Sequence, residues 1–509
     1  MPQNIHQQTT MLRTSGQVDE ALRLAMKIVK KHPAQSLGWI ELASCRALKY
    51  DFQRASQAIE KALKFSKGVP GVYLTAANSM TTSGYPTEAI RILRKAIVLH
   101  PKDAQLRTIL AFALELHHQV EDAEQLVEEV LQDNPHYSKA LLLRAVLWKR
   151  QDQPEKALGI LEQLLANTDE SSQTRDVLWR VHSLRIQCLD SLKRYDEATL
   201  AFRTTAAFTR QFYSDDISLC NRAWQRQKRA MHCLNEGLSS EQLKVWQGVP
   251  PVSDQSLCFL SGHPRSGTTL AGTILSSHRD TVLIDEKDIF YKSAFVSLLK
   301  EFPPGTPDVE RLQLATEKLL SRHTKSYLQL AENCVGEPIQ QKTIIDKHPL
   351  HIFSVPGAMR LFPQAQHVVT LRDPRAVALS CLLTTTTLTT YSVNWIDPLA
   401  TAQAYDEIMG AWRIIEYWNL PQIHTLRYEA LVKNQEEVTK KLAAQIDLGW
   451  SDDLLNYTNK AKSQAATSPT YEQVTRPIYG SSVEKWRHYE NLLEPAMPLL
   501  EKAAVRMGY

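Results

Sequence analysis

The residues best suited to chemistry lie in a short loop near the middle of the chain. An apolar run, Leu257–Ser261, is followed by GHPRSGTTL and then by AGTILSSH, a stretch typical of a helix. A glycine-bounded loop between a strand and a helix is the usual setting of a phosphate cradle. Glycine permits the tight turn, and the amides at the helix start point toward an anion. The loop therefore predicts binding of a phosphate or a similar anion.

The same loop argues against a nucleotide triphosphatase. Its spacing is close to G-x-x-x-x-G-K-[ST], but Thr268 stands where the lysine is expected. That lysine normally contacts the terminal phosphates of ATP or GTP. A nucleotide kinase stays an alternative, because kinases share this α/β architecture. Binding of ATP with release of phosphate would support it.

A second candidate anion element follows later in the chain. Gln366–Leu371 is an apolar run typical of a strand, and RDPR (372–375) then opens the helical stretch AVALSCLL. Arg372 and Ser380 are eight residues apart, which is about two helical turns. Both can face one ligand only if Arg372 precedes the helix. Arginine suits phosphate because its planar guanidinium is always charged and donates in a fixed fork.

With these two elements, the second half of the chain resembles the sulfotransferases that use 3′-phosphoadenosine-5′-phosphosulfate (PAPS). PRSGTTL resembles their 5′-phosphosulfate loop, and the likeness is closest to the protein-tyrosine sulfotransferase branch. Arg372 and Ser380 have the spacing of the family's 3′-phosphate residues. The resemblance implies PAPS as the cofactor and the following cofactor-binding residues: Arg265, Ser266, Gly267, Thr268, Thr269, Arg372, Ser380, Tyr428 and Lys485.

The resemblance also implies the catalytic residues. Glu286 lies 21 residues after Arg265 and matches the family's catalytic base, while Lys347 matches its catalytic lysine. Glu286 would take the proton of the acceptor hydroxyl, and Lys347 and Arg265 would stabilise the charge that develops during transfer. A phenol has a pKa of about 10, so a base is needed near neutral pH. No metal ion is expected.

Two further matches and two departures complete the comparison with that family. Tyr428 in TLRYEALV would lie beside the adenosine, and Lys485 in TRPIYGSSVEKWRHY belongs to a stretch that resembles the terminal cofactor loop. Asp288 stands where the animal tyrosine enzymes carry an arginine that orients an acidic peptide, so a preference for acidic peptides is not expected. Thr384 stands where the family has a basic residue one turn after the phosphate serine, and the threonine-rich run that it begins, at 384–390, has no assigned role.

The first half of the chain repeats with a period of 34 residues. Each copy pairs two amphipathic helical stretches across a short polar turn, and small residues are needed where two helices approach closely. The pattern resembles the tetratricopeptide repeat over about residues 5–165, and a degenerate sixth copy surrounds Ala198, where the spacing slips by seven residues. Two alanine series carry the period: Ala21, Ala55, Ala89, Ala123 and Ala157, and Ala43, Ala77, Ala111 and Ala145.

These patterns predict an α-solenoid of tetratricopeptide repeats followed by an α/β P-loop-like domain with a central parallel sheet. We expect the solenoid over residues 1–245, with capping helices after the regular repeats, and the sulfotransferase domain over residues 255–509. Pro250 and Pro251 mark the linker between them. The ligand is expected at the carboxyl ends of the strands.

Composition excludes several other classes of protein. The chain has 509 residues, with 43% hydrophobic and 22% charged, which is typical of globular domains. Its net charge of +4 is too weak to indicate a nucleic-acid partner. No apolar run is long enough to span a membrane, and the N-terminal residues lack a secretory pattern. The seven scattered cysteines predict no disulfide framework or zinc site. A cytoplasmic location is expected.

The leading hypothesis is an enzyme that transfers a sulfuryl group from PAPS to a hydroxyl and leaves adenosine 3′,5′-bisphosphate. Tyrosine of a peptide or protein is the favoured acceptor, recruited by the repeats. The alternatives are a sulfotransferase acting on a small molecule or a glycan, and a repeat scaffold with a decayed catalytic domain. The sequence leaves open the acceptor, whether the repeats bind substrate or another partner, and the oligomeric state, a homodimer included.

Overall fold

A computed structural model of the chain describes residues 2–14, 16–166, 175–248, 253–384, 388–463, 474–475, 478 and 480–509. The chain divides by compactness into Met1–Ile160 and Leu161–Tyr509. This division differs from the boundary that we predict between residues 245 and 255, which follows from motifs and stays a prediction. The linker prolines, Pro250 and Pro251, lie outside the described residues.

The first unit is built from antiparallel helix pairs, as the 34-residue period predicts. All nine alanines of the two series are buried, which confirms that they lie where helices pack closely. Their small side chains allow the helix backbones to approach. The helices of this region are α1 Pro2–Thr14, α2 Val18–Lys31, α3 Ser36–Ala47, α4 Phe52–Phe65, α5 Pro70–Thr82, α6 Pro86–Leu99, α7 Ala104–Leu116, α8 Val120–Asp133, α9 Ser138–Arg150 and α10 Pro154–Ala166.

The turn inside each helix pair repeats one backbone conformation. Residues with φ between 57° and 81° recur every 34 positions, at Gly16, Tyr50, Gly84, His118 and Asp152. Glycine adopts this left-handed conformation freely, whereas other residues pay a steric cost. The turn geometry is therefore kept in every copy, although the residue type is not.

The second unit begins with further helices, α11 Arg175–Ser191, α12 Tyr195–Phe212, α13 Ser214–Glu236 and α14 Ser240–Gln247. Lys193, in the turn between α11 and α12, has a φ of 59°. It lies 41 residues after Asp152, which is the 34-residue period plus the same slip of seven that separates Ala157 from Ala198. The α11–α12 pair is therefore the degenerate sixth copy.

The rest of the second unit contains a parallel sheet. Its strands lie in the order β2-β3-β1-β4-β5, and every adjacent pair is parallel. All six residues of β1 are buried, which is typical of a strand covered on both faces. The sheet confirms the predicted α/β fold. The strands are β1 Leu257–Gly262, β2 Thr281–Asp285, β3 Thr343–Lys347, β4 Gln366–Leu371 and β5 Ile423–Arg427.

Helices connect the strands and follow the last one. A π-helix at Phe290–Phe295 leads into the first connection after β2, and short 3-10 helices include Pro349–Phe353, Ser392–Ile396 and Lys485–Tyr489. The α-helices are α15 Thr268–Ser276, α16 Val296–Leu299, α17 Asp308–Leu314, α18 Glu317–Val335, α19 Val355–Leu361, α20 Pro374–Leu382, α21 Pro398–Tyr417, α22 Tyr428–Lys433, α23 Gln435–Gln445, α24 Tyr457–Ser463, α25 Glu490–Leu493 and α26 Met497–Arg506.

The sheet gathers the residues singled out by the sequence at one edge. Because all its strands are parallel, their carboxyl ends meet at the same edge of the sheet. Each strand ends at or just before one of them: Arg265 follows β1, Glu286 follows β2, Lys347 ends β3, Arg372 follows β4 and Tyr428 follows β5. Across the described parts of the chain, no helix is long and apolar enough to cross a membrane.

Candidate active site

The loop after β1 is packed so closely that glycine is required at both of its ends. Gly262 has a φ of 147°, and a Cβ there would lie 2.4 Å from Thr370 Oγ1 on β4. Gly267 has a φ of 105°, and a Cβ there would lie 2.7 Å from the Tyr428 ring. Ser266 Oγ shares a hydrogen bond of 2.5 Å with Thr370 Oγ1. The loop is thus held against β4 and against the residue that follows β5.

The two predicted anion elements are in direct contact. Arg265 Nε donates to Ser380 Oγ at 3.1 Å, and Arg372 donates to the carbonyl oxygen of Arg265 at 3.1 Å. Arg372 precedes α20, as the eight-residue spacing to Ser380 requires. Its guanidinium lies 4.6 Å from the centre of the Tyr428 ring, and it also donates to the carbonyl oxygen of Ser482 at 2.9 Å.

The residues present fit a bound anion. Arg372 is buried, and its Nε–H has no hydrogen-bond partner among the described residues. A buried charged donor of this kind is costly unless an acceptor satisfies it. The amides of Gly267 and Thr268 lie at the start of α15, where backbone donors point outward. Phosphate oxygens accept hydrogen bonds from guanidinium groups and from the amides at the start of a helix.

One cavity of about 300 Å³ joins these elements. It brings together most of the predicted cofactor-binding residues and the predicted base, Glu286. Its lining consists of Pro264, Arg265, Gly267, Thr268, Thr269, Leu270, Glu286, His348, Pro349, Leu350, Arg372, Ser380, Thr389, Tyr391, Trp395, Tyr428, Tyr457, Val474 and Ile478.

A buried lysine and two carboxylates form the far end of the site. Lys347 Nζ lies 2.5 Å from Asp285 Oδ1 and 2.8 Å from Glu286 Oε1. The Lys347 side chain is 1% exposed, and that of Glu286 is 31% exposed. Burial lowers the pKa of Lys347, but the charges and hydrogen bonds of Asp285 and Glu286 outweigh burial and raise it. The sequence analysis does not predict Asp285 as a site residue. Its position next to Glu286, at the end of a strand pattern, is the feature that could have indicated it.

Further residues of the cavity wall were also missed. His348 follows Lys347 directly, and burial lowers its pKa to about 4, so its ring is neutral near pH 7. Tyr391 stacks on Phe353 with ring centres 5.8 Å apart and packs edge-on against Trp224 of α13, also at 5.8 Å. Tyr391 follows the threonine-rich run directly, and composition alone does not separate a cavity wall from a packed core.

Some predicted residues lie outside the cavity lining. Ser266 is buried within the loop, and Lys347 lies behind Glu286. Lys485 forms an ion pair with Asp190 of α11. The second arginine of the RDPR element, Arg375, binds its neighbour Asp373 at 2.7 Å.

Two stretches singled out by the sequence are only partly described. Within TRPIYGSSVEKWRHY, residues 476, 477 and 479 lie outside the described residues, and so do residues 385–387 of the threonine-rich run. Thr389, near the end of that run, lines the cavity. The roles assigned to the individual site residues stay predictions.

The parallel sheet, the glycine-bounded loop and the second arginine element define an α/β domain of the phosphate-loop type. Residues 258–452 match the model of the sulfotransferase family, and residues 114–177 match that of the tetratricopeptide repeat. Both stretches therefore match the families that the motifs indicate: a sulfotransferase over residues 258–452 and a tetratricopeptide repeat over residues 114–177. The predicted family resemblance is confirmed.

Several known proteins are similar to this chain at low identity. An uncharacterized protein of Aquifex aeolicus is 25% identical over 88% of this chain, which covers 57% of that protein. Protein-tyrosine sulfotransferase A of Caenorhabditis elegans is 24% identical over 45% of this chain, which covers 60% of it. The chain thus spans somewhat over half the length of these relatives. The sulfotransferase domain of the Synechococcus PCC 7002 olefin synthase is 20% identical over 49% of this chain and 94% of its own, with a TM-score of 0.34.

Proposed function

We propose that this chain transfers a sulfuryl group from PAPS to an acceptor hydroxyl, with tyrosine of a peptide or protein as the acceptor and the repeats as its recruiting surface. One observation carries the proposal. The loop after β1, the Arg372 element after β4 and the carboxylate of Glu286 line a single cavity. Two anion-binding elements fit the two phosphate-bearing ends of the donor, and a carboxylate fits the proton of the acceptor.

The residues that would hold the donor follow from their contacts. The amides of Gly267, Thr268 and Thr269 and the guanidinium of Arg265 would hold the 5′-phosphosulfate. Arg372 and Ser380 would hold the 3′-phosphate, because both residues line the same cavity and the Arg372 Nε–H has no hydrogen-bond partner among the described residues. When bound, the donor supplies the sulfuryl group that passes to the acceptor oxygen.

Glu286 would accept the proton of the acceptor hydroxyl. Its Oε1 is held by Lys347, which leaves Oε2 as the oxygen that takes the proton from the cavity. As the acceptor oxygen forms its bond to sulfur, the bond from sulfur to the bridging oxygen breaks, and that oxygen keeps the electron pair. Arg265 and the loop amides would stabilise the charge left on it.

The acceptor end of the cavity favours an aromatic hydroxyl compound. His348 is neutral near pH 7, and Tyr391 and Trp395 add aromatic surface. Aromatic walls bind phenolic rings through apolar contact and ring stacking. The relative from Caenorhabditis elegans is named as a tyrosine sulfotransferase, which supports the same acceptor class.

A transfer assay with sulfur-labelled PAPS tests the proposal. The acceptors are a capped tyrosine peptide with neutral neighbours, its phenylalanine counterpart and the small phenol 2-naphthol. We expect label on the tyrosine peptide and none on the phenylalanine peptide. Label on 2-naphthol alone would favour a small-molecule acceptor. No transfer to any acceptor, with donor binding intact, would contradict the enzyme proposal and favour the scaffold.

A further inference from the structure

The ion cluster behind the cavity contains one more carboxylate than the proposed reaction uses. Asp285 Oδ1 is 2.5 Å from Lys347 Nζ, closer than Glu286 Oε1 at 2.8 Å. Asp285 and Lys347 are paired in register on the adjacent strands β2 and β3. The resemblance to the family assigns a role to Glu286 and Lys347 but none to Asp285.

The backbone brings the two carboxylates to the same ammonium. Consecutive residues of an extended strand point to opposite faces of the sheet. Glu286 departs from the strand with a φ of 50°, and its amide donates to the carbonyl oxygen of Lys347 at 2.8 Å. This left-handed residue turns the Glu286 side chain back, so that Asp285 and Glu286 share Lys347. Such a conformation is costly for glutamate and persists only where its surroundings enforce it.

The charges explain what the extra carboxylate does. With both carboxylates ionised, the cluster carries one net negative charge. When Glu286 takes a proton, the cluster becomes neutral, because Asp285 still compensates the Lys347 ammonium. Without Asp285, the same proton would leave the Lys347 ammonium unpaired in a site where it is 1% exposed. A buried unpaired charge is strongly unfavourable.

We propose that Asp285 is a positioning residue that keeps Lys347 paired throughout the reaction and thereby makes Glu286 a better proton acceptor. The proposal deepens the proposed function, on which it rests for the identity of the reaction. In this proposal the Lys347 ammonium stays in the cluster during the whole reaction. Its aliphatic stem packs against α15, where a Cβ on Gly272 would lie 3.4 Å from Lys347 Cγ.

Other charged or titratable groups surround the cluster. His348 on the stretch after β3 and Arg265 on the phosphate loop line the same cavity as Glu286. Asp288, on the stretch after β2, lies 3.5 Å from His348 and pairs with Lys292 at 2.7 Å. His348 is neutral near pH 7, and Lys292 compensates Asp288. Lys347 is the charged side chain in ion-pair contact with Glu286, and Asp285 is the second carboxylate on the same ammonium.

Infrared difference spectroscopy of the full chain tests the proposal without any acceptor. The carbonyl band of protonated Glu286 is identified by its loss in Glu286→Gln, and its appearance is followed as the pH is lowered. In Asp285→Asn we expect that band to appear about one to two pH units lower than in the wild type. An unchanged or higher midpoint would overturn the proposal.

Two variants separate charge from structure. Asp285→Glu keeps the charge and should restore a midpoint close to that of the wild type. Asp280→Asn, at the exposed turn before β2, removes a carboxylate that lies at the other end of the strand and should leave the midpoint unchanged. If Asp285→Asn does not fold, Asp285→Ser takes its place, with the same shift expected.

The catalytic readout distinguishes this proposal from the proposed function. With sulfur-labelled PAPS and the tyrosine peptide, Asp285→Asn should lower kcat about tenfold, move the acidic limb of the rate–pH profile to lower pH and leave the Kd for adenosine 3′,5′-bisphosphate unchanged. If the band shifts in Asp285→Asn but the wild type transfers no sulfuryl group, the proposed function alone is refuted. Transfer without a band shift in Asp285→Asn would refute the role of Asp285 alone.

Discussion

Left-handed backbone occurs in two regions of this protein for different reasons. In the repeats it recurs every 34 residues, and glycine, tyrosine, histidine and aspartate all occupy the position. In the α/β region it includes Arg265, with a φ of 75°, and Glu286, with a φ of 50°, alongside Gln341, Asn419 and Asp447. Arg265 and Glu286 line the cavity. The repeat turn needs only the conformation, whereas the site needs the conformation and the side chain together.

A strained position that accepts several residue types serves a turn, and glycine would fill it at a lower steric cost. A strained position whose polar side chain faces a cavity aims that side chain. Substitutions in the two regions should therefore affect different quantities: stability in the repeats, and chemistry or ligand affinity in the site.

The largest effect is expected at Glu286. Glu286→Gln keeps the shape of the side chain but removes the base, so the rate of sulfuryl transfer should fall about 10²- to 10⁴-fold. Affinity for adenosine 3′,5′-bisphosphate should not change. Asp152→Asn, at a left-handed position of a repeat turn, is the matched control and should retain the wild-type rate. Equal rates in Glu286→Gln and the wild type would remove Glu286 from its role.

The next effect concerns the donor site. Arg372→Ala removes a buried guanidinium, and hydrogen bonds to charged groups contribute about 1.5–3 kcal/mol. The Kd for adenosine 3′,5′-bisphosphate should rise roughly 10- to 100-fold. Arg375→Ala is the control, because Arg375 pairs with Asp373 and lies outside the cavity lining. If calorimetry finds that Arg372→Ala and Arg375→Ala lose the same affinity for adenosine 3′,5′-bisphosphate, the 3′-phosphate assignment is contradicted.

A smaller effect follows from a buried histidine of the catalytic region. His367 lies parallel to Phe259 at 5.4 Å, and burial lowers its pKa to about 3. The folded chain therefore binds fewer protons than the unfolded chain below pH 6.5, so stability falls as the pH drops from there toward 3. Between pH 6.5 and about pH 5 this one group should cost about 1–2 kcal/mol.

Unfolding by urea at several pH values checks this contribution. His367→Phe keeps an aromatic ring against Phe259 and removes the titratable group. Its free energy of unfolding should fall less steeply below pH 6.5 than that of the wild type. Parallel pH profiles in the two proteins would show that His367 does not carry the acid sensitivity.

The smallest effects are expected at the repeat turns. Gly16 has a φ of 81° and open space around a Cβ, so Gly16→Ala should lower the free energy of unfolding by about 1 kcal/mol through backbone strain alone. Lys193, at a φ of 59°, is exposed, and Lys193→Gly should raise it by about 0.5 kcal/mol. Thermal unfolding measures both. Changes in the free energy of unfolding of the opposite sign would contradict the view that the repeat turns need only the left-handed conformation.

Much of the architecture could be predicted because it depends on local patterns. The alanine period places the helix pairs, and the predicted strand Gln366–Leu371 coincides with β4. The requirement that Arg372 precede its helix is met, since α20 begins at Pro374. These features follow from residue spacing and from the geometry of single elements, which a sequence records directly.

Other features depend on contacts between distant parts of the chain. The sharing of Lys347 between Asp285 and Glu286 requires the register of β2 with β3, which no local pattern specifies. Lys485 pairs with Asp190, 295 positions earlier. The contact of Arg265 with Ser380 spans 115 positions. Motifs identified the candidate residues, but only the fold shows which of them meet.

The most direct test of the account is calorimetric titration of the purified chain with adenosine 3′,5′-bisphosphate, AMP and ATP. If the loop after β1 and the Arg372 element form one donor site, the bisphosphate should bind much more tightly than AMP, and Arg372→Ala should reduce that preference. Absence of binding, or a preference for ATP, would contradict the assignment of the two elements to one bisphosphate site.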